Sequence, residues 1–377
     1  MLLTNAFLPD PRPYKEALSL IKAGHKVKIL CWDRGENLPE NEIIDGIEIE
    51  RIHLASKHGR GTTQVIFLLM FWIKMLLRLI KEEKGIIYCH DFDTLPVGLL
   101  CKFFWGRLVI FDSHDIFSKT LYRNVSNLLV SFIAFLEKPL IKRADFIIVA
   151  SQSVASLYNS FGVTKISIVE NWKEIEDFQA KKEIAEKEKL ILGIKDKLVI
   201  SYISNLGPER IIEPLLEVVS EDNSLFLIAA GDGPQKHLIE KFSKYFNNIV
   251  FLGYIPYEKI CLYTCISDIV YFGYNKDARV AKFLNPNKLF EALAAGKAFI
   301  GGNFGEMGRI IKEERCGIAL DSFDKDNIKN ALEIMKDRSK LQVFQDNAKR
   351  AGLEKYNWAN AEKNFLEVFS QIEHKRC

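Results

Sequence analysis

What the chain lacks most plainly is charge of one sign. Its 52 lysines and arginines face 49 aspartates and glutamates, a net +3. No global basic field is therefore available to hold a nucleic-acid backbone. Metal-ligand spacing is missing too. Cys31, Cys89, Cys101, Cys261, Cys265, Cys316 and Cys377 are scattered, and no second Cys or His pair joins Cys261 and Cys265 to close a zinc site. Buried thiols in a reducing cytoplasm are expected. A secretory leader is not, because MLLTNAFLPDP is short and lacks a basic start. The NVS sequon at Asn124 reads as chance. No long apolar run is uninterrupted either: QVIFLLMFWIKMLLRLI, residues 64–80, is broken by Lys74 and Arg78. That segment has two readings. It is a buried core helix, or a helix in the bilayer interface with its basic residues toward headgroups, with Lys57 and Arg60 just before it.

What the chain has is alternation. With 377 residues it is too long for one ordinary core, and two domains are expected. Apolar runs at 26–32, 47–54, 85–91, 107–115, 145–151 and 166–171 read as strands, most of them separated by helical patterns. A charged stretch at 181–197 suits a surface connection. The alternation then restarts, with strands at 198–204, 224–231, 248–254, 268–274, 297–302 and 317–320. Two tandem Rossmann-like doubly wound α/β domains follow, their strand C-terminal ends facing a shared cleft. The expected boundaries are 1–172, a linker at 173–197, a second domain at 198–352, and a C-terminal helix at 353–377.

Three groups fall at strand ends of the second half. The loop from Asn205 to Arg210 precedes a helix with Pro214 in its first turn, and offers Gly207 for close backbone approach. Gly231, Asp232 and Gly233 make a tight strand-to-helix turn. LNPNKLFEALAAGKAFIGG opens a helix, with Asn285 able to cap, Pro286 suited to the first helical position and Gly296 to the end. Lys288 then lies in the first turn, where the backbone is already electropositive and a cation is disfavoured. An anion resolves that conflict. Glu291, one turn on, is the alternative, as a salt-bridge partner worth about 0.2–0.5 kcal/mol or as an acceptor of ribose hydroxyls. Singly, these residues read as solvated side chains and ordinary turns. Together, two cations at two helix N-termini beside glycine turns read as a diphosphate site.

In the first half, two strands end in His–Asp pairs, His90–Asp91 (with Asp93 close behind) and His114–Asp115, and both are candidates for substrate contact. Their spacing does not suit a dedicated metal site. Asp10, Arg12 and Lys15, in FLPDPRPYKEA, either face the cleft or solvate a helix start.

FLPDPRPYKEALSLIKAGHKVKIL, HDFDTLPVG, NLGPERIIEPLLE, GDGP, VFLGYIPYEKI and NPNKLFEALAAGKAFIGG occur in that order. Together they resemble the GT-B-fold glycosyltransferases of the large retaining family 4, in the branch that builds surface polysaccharides. The resemblance runs from about residue 9 to the end, where LEKYNWANAEKNFLEVF looks like the family's helix that crosses back to the first domain. It implies that Arg210 and Lys288 hold the donor diphosphate and that Glu291 holds the donor ribose. Asn205, Gly207, Asn287 and Leu289 would flank the donor. Gly231, Asp232, Gly233, Tyr254 and Ile255 would accept its base, UDP or GDP being undecided. His114 would contact the donor sugar. Asp10 and Arg12, with His90, Asp91 and Asp115, would lie on the acceptor side.

Three positions depart from the family pattern. Phe283 stands where the first acid of the family's Glu-x7-Glu motif belongs, Asn205 where a cation is usual, and DPRP where a glycine pair is usual. The activity implied is transfer of a hexose-type sugar to a hydroxyl of a glycan or lipid-linked acceptor, with no metal or other cofactor and with the departing phosphate taking the acceptor's proton. Asp91 or Asp115 as general base ranks below. The place implied is the cytoplasm, at the inner face of the cytoplasmic membrane. The alternatives are a non-catalytic nucleotide-sugar-binding partner subunit, which Phe283 favours, and a sugar-nucleotide epimerase.

Overall fold

The computed structural model describes residues 1–8, 10–56, 64–83, 85–114, 116–120, 127–278, 281–284 and 286–374. Lys57, Arg60, Asp115, Asn124, Asn285 and Cys377, singled out above, lie outside them. The chain divides into two units, Met1–Asn171 with Glu362–Cys377, and Trp172–Ala361.

The first unit holds strands β1 (Lys28–Asp33), β2 (Asn41–Ile44), β3 (Ile47–His53), β4 (Ile87–His90), β5 (Val109–Ser113), β6 (Phe146–Val149) and β7 (Ile166–Ile168). Its helices are α1 (Pro11–Lys22), α2 (Gln64–Leu79), α3 (Leu95–Trp105), α4 (Phe117–Thr120), α5 (Asn127–Ile141) and α6 (Gln152–Ser160). The strands pair in the orders β1-β3-β2 and β4-β5-β6-β7, parallel except for β2 against β3. Residues 1–3 join the two sets. The Leu2 amide donates to Tyr88 at 2.8 Å, the Leu3 amide to Leu30 at 3.0 Å, and the His90 amide to Leu2 at 3.2 Å. Successive residues of β4 face opposite sides, as a pleat requires. The Tyr88 side chain meets Glu16 on α1, and a Cβ at Gly98 of α3 would stand 2.4 Å from Cys89 Sγ. α3 therefore sits this close to the sheet because position 98 has no side chain.

The second unit holds α7 (Ile175–Gln179), α8 (Lys182–Ile191), β8 (Leu198–Ile203), α9 (Glu213–Ser220), β9 (Leu225–Ala230), α10 (Lys236–Tyr245), β10 (Ile249–Phe251), α11 (Tyr257–Ile266), β11 (Ile269–Tyr271), α12 (Asn287–Ala295), β12 (Ala298–Gly302), α13 (Gly305–Glu314), β13 (Gly317–Leu320), α14 (Lys325–Lys336), α15 (Arg338–Glu354) and the start of α16 (Trp358–His374). Its sheet is parallel throughout, in the order β10-β9-β8-β11-β12-β13. The chain starts in the middle at β8, runs out to β10, then returns to β11 and runs the other way. The reversal lies between β8 and β11, and open α/β sheets bind ligands outside the strand C-terminal ends at such a reversal.

Each predicted strand is present, mostly shorter than its apolar run. β2 and the pairing of residues 1–3 were not predicted. The stretch expected as a connection carries α7 and α8, whose Phe178 and Ala185 join Val199 and Phe226 in one core cluster. In the last helix, Ser19 donates to Glu362, and Tyr88 packs against Phe365 and Phe369. The six described cysteines are buried. Among the described residues, no helix is long and apolar enough to cross a membrane.

Candidate functional site

In the second unit, the loops following β8, β9 and β10 are tied together by backbone hydrogen bonds. The Leu206 amide donates to Asp232 at 2.9 Å and the Gly231 amide to Gly253 at 2.8 Å. Glycine is required at both turn positions. Gly231 and Gly233 hold φ of +142° and +145°, and a Cβ at Gly231 would lie 1.8 Å from the Ser204 carbonyl oxygen. These contacts bring the 205–210 loop, Gly231–Gly233 and the turn holding Tyr254 and Ile255 to one end of the sheet. Tyr254 is 80% exposed there.

The Arg210 guanidinium carbon lies over two rings, 4.6 Å from the Phe272 centroid and 4.8 Å from that of Tyr274. Stacking of this kind holds a guanidinium without cancelling its charge. Its Nε donates to Asn205 Oδ1 at 2.9 Å, so the residue standing where a cation is usual orients Arg210. Gln235, unremarked in the sequence, donates to the Gly207 and Arg210 carbonyls and fixes the loop from beneath. Phe272 and Tyr274 share a core cluster with Leu289 and Phe290 of α12, which puts the Lys288 helix beside the Arg210 loop.

Several expectations about α12 need correction. Pro286 is its cap, with φ −72° and ψ 121°, and the helix begins at Asn287; Gly296 ends it in the left-handed conformation as expected. Leu289 is wholly buried, so its side chain serves the core. Lys288 Nζ donates to Glu291 Oε2 at 2.6 Å, and Lys173 Nζ lies 3.9 Å from Glu291 Oε1 and 3.3 Å from Asn287 Oδ1. Lysine at an electropositive helix start thus has a buried carboxylate beside it, which the short i,i+3 spacing made visible. Lys173 was not visible, because it arrives from more than a hundred residues away.

In the first unit, His90 and Asp112 are register partners on β4 and β5, and His114 follows two residues later on the same side. His114 Nε2 lies 3.2 Å from His90 Nδ1 and 3.3 Å from Asp112 Oδ2, and its Nδ1 lies 3.5 Å from Asp91 Oδ2. Arg12 does not reach outward as expected. It is buried, and its Nε and Nη2 donate to the two Asp112 oxygens at 3.1 and 2.8 Å, with Nη1 on the Val169 carbonyl. Lys15 is likewise buried and donates to Asn171. Asp10 accepts from the Asn5 amide group at 2.9 Å. Two further members, Asp112 and Glu16, were not singled out in the sequence. Glu16 accepts from Tyr88 at 2.8 Å and pairs with Arg12.

The charges sort themselves by neighbours. Burial alone would push the His114 imidazole down, but Asp91 and Asp112 outweigh it and hold it up at about 10. Burial drives His90 well below its usual value, so it is neutral. Burial would raise Asp112, yet Arg12 and then His114 pull it far below the carboxylate range. Glu16 is pushed up to about 7 by burial and by Asp112, and Asp93 to about 7 by burial and Asp91. Asp91 adopts φ +62°, the left-handed region that an aspartate tolerates better than most side chains. His90, Asp112 and His114 each bring one ligand-type atom within 4.8 Å of the others, the grouping a metal ion would use. Asp112 already accepts from Arg12 and Tyr88 there, and the Arg12 cation opposes a second one.

Residues 14–176 match the family model for Glycosyltransferase Family 4, and residues 183–351 match that for Glycosyl transferases group 1. An uncharacterized glycosyltransferase of Methanocaldococcus jannaschii is 24% identical over 376 residues, covering 94% of this chain and 91% of that one. Sucrose-phosphate synthase of Thermosynechococcus elongatus has the same fold, with a TM-score of 0.78 at 15% identity over 99% of this chain and 98% of that one. Anabaena HepE in complex with UDP-glucose gives 0.74 at 16% identity, covering 98% of each. With its first half matching family 4 and its second half matching group 1, the chain is a glycosyltransferase of the GT-B type.

Proposed function

We propose that this protein transfers a hexose-type sugar from a nucleoside diphosphate donor to a hydroxyl of a lipid-linked or polysaccharide acceptor, retaining anomeric configuration. The donor diphosphate sits against Arg210, Lys288 and the start of α12. Gly231, Asp232, Gly233, Tyr254 and Ile255 meet its base, and Asn205, Gly207 and Asn287 line its path. Cleavage of the sugar–phosphate bond puts charge on the β-phosphate, and preorganised cations stabilise it without a metal ion. The departing phosphate takes the acceptor's proton. His114, an imidazolium at neutral pH, donates toward the donor sugar, with Asp91 and His90 toward the acceptor. The acceptor's lipid brings the enzyme to the inner face of the cytoplasmic membrane through α2, as a peripheral protein.

The observation that carries this reading is a guanidinium held over two rings in the loop after β8, with the helix that opens on Lys288 packed beside it after β11, the two strands that flank the reversal of the second sheet. The HepE structure holding UDP-glucose at the same fold supports it. Arg210→Ala and Lys288→Ala should each lower turnover by about a hundredfold or more. Full activity in both, with an identified donor, would contradict it. The presence of Phe283 in place of an acid favours one rival, a non-catalytic subunit that binds nucleotide sugar. Donor binding without turnover, rescued by a second protein, would select that rival.

A further inference from the structure

α2 is apolar on two opposite sides. Phe71, Met75 and Leu79 are buried against the unit, while Ile66, Ile73 and Leu77 form a second stripe about half a turn away that is more than half exposed. α3 packs against both α2 and α5, and each neighbour continues the exposed surface. On α3, Phe103 and Phe104 are 81% and 63% exposed; on α5, Phe132 and Phe135 are 58% and 75% exposed. Large apolar side chains exposed at these levels on three neighbouring helices, phenylalanines on two of them, form a patch of the kind that marks an interaction site.

Charge identifies the occupant. The three helices carry Lys74, Arg78, Lys102 and Lys138 and one acid, the buried Glu137. Arg78 pairs with Glu40 and Glu50 and Lys102 with Asp145, so the border rests on Lys138 and the cations that follow it. The exposed stripe of α5 runs on from Phe132 and Phe135 into exposed Lys138 and Lys142, with Arg143 beside them. A second copy of the chain would set this cationic border against itself, which like charge disfavours. An apolar surface bordered by lysine and arginine fits an interface of acyl chains and anionic headgroups.

We propose that α2, α3 and α5 together form a platform that docks the first unit on a bilayer containing anionic lipid, with the phenylalanines of α3 and α5 entering the acyl boundary and Lys138, Lys142 and Arg143 meeting headgroups. This extends the membrane contact proposed for α2 alone and rests on it. The test is co-sedimentation of the full chain with vesicles of phosphatidylcholine, with and without 30% phosphatidylglycerol (about a third, a bacterial-type anionic content). Wild type should bind the anionic vesicles roughly tenfold or more better than the neutral ones, and less as salt rises from 0.1 to 0.5 M, where the screening length shrinks from about 10 Å toward 4 Å. Phe103→Ser with Phe104→Ser, and separately Phe132→Ser with Phe135→Ser, should each weaken binding by roughly tenfold. Lys138→Glu with Lys142→Glu should abolish the preference for anionic lipid.

Binding of UDP or GDP, measured without vesicles, should be unchanged in all three variants. That readout separates the platform from the transferase reading, and it also reports whether each variant is folded. Equal binding to both vesicle types, no binding, or variants that bind as wild type would overturn the proposal. So would a lipid-free dimer that the phenylalanine variants dissolve, since the face would then be a contact between copies.

Discussion

His114 takes its charge from Asp91 and Asp112, at the ends of neighbouring strands. Its raised value makes a stability statement. The folded state binds the proton more tightly than the unfolded state, so this stabilisation is full below about pH 6.5 and is lost as pH rises toward about 10. Activity that needs the imidazolium should fall along an alkaline limb in the same range. Asp91→Asn removes one of the charges that hold the proton, so the limb should move to lower pH in the rate profile. An unmoved limb would detach His114 from that role. Asp112 offers a second residue-level prediction. Replaced by Asn, it removes the carboxylate that takes two Arg12 hydrogen bonds and leaves that buried cation with Glu16 alone, and urea unfolding should show a loss of about 3 kcal/mol. Arg12→Met added to it should recover part of that loss, because the buried cation is then gone and Glu16, already pushed up to about 7 by burial, can take a proton. The sequence made His90 and His114 legible, since both stand at strand ends beside aspartates. It did not make legible the pair beneath them. Arg12 and Asp112 are 100 residues apart, and a buried carboxylate inside VIFDS has no local pattern to announce it.

At the scale of elements, the turns of the second unit were the most readable part of the chain, for a physical reason. Glycine marks a backbone that other residues cannot follow, so Gly231 and Gly233 identify the strand-to-helix turn before any coordinates. Gly231→Ala should put a methyl against the Ser204 carbonyl and strain a backbone at φ +142°. A cost of at least about 1–3 kcal/mol is expected in thermal unfolding, with weaker donor binding as the 205–210 loop shifts. α12 was legible in its helix and its Gly296 stop, but not in its start, because Pro286 suits a cap as well as a first turn. β2 was missed because NEII is a short edge strand whose two polar residues precede its two apolar ones instead of alternating with them. Residues 1–3 were missed because three residues show no period; only their hydrogen bonds to β1 and β4 make them part of the sheet.

For the whole molecule, the two units repeat one plan. Each has a central strand from which the chain runs outward, returns, and runs the other way, and each collects its charged side chains at that reversal. In the first unit these charges answer one another, Arg12 against Asp112 and His114 against two aspartates. In the second, Arg210 is held over two aromatic rings and by the Asn205 amide oxygen. The alternation of strands and helices disclosed this plan in advance, while the partners of the charged side chains came from contacts distant in sequence. The central claim is that the second unit grips a diphosphate through Arg210 and Lys288. Its most direct test is titration calorimetry of UDP and GDP, each against its own monophosphate, with wild type and the Arg210→Ala/Lys288→Ala double variant. The account predicts that wild type binds one of the diphosphates about a hundredfold more tightly than its monophosphate, a difference of ~2.7 kcal/mol, and that the double variant loses this advantage. A wild type indifferent to the second phosphate, or a double variant that keeps the full preference, would contradict it.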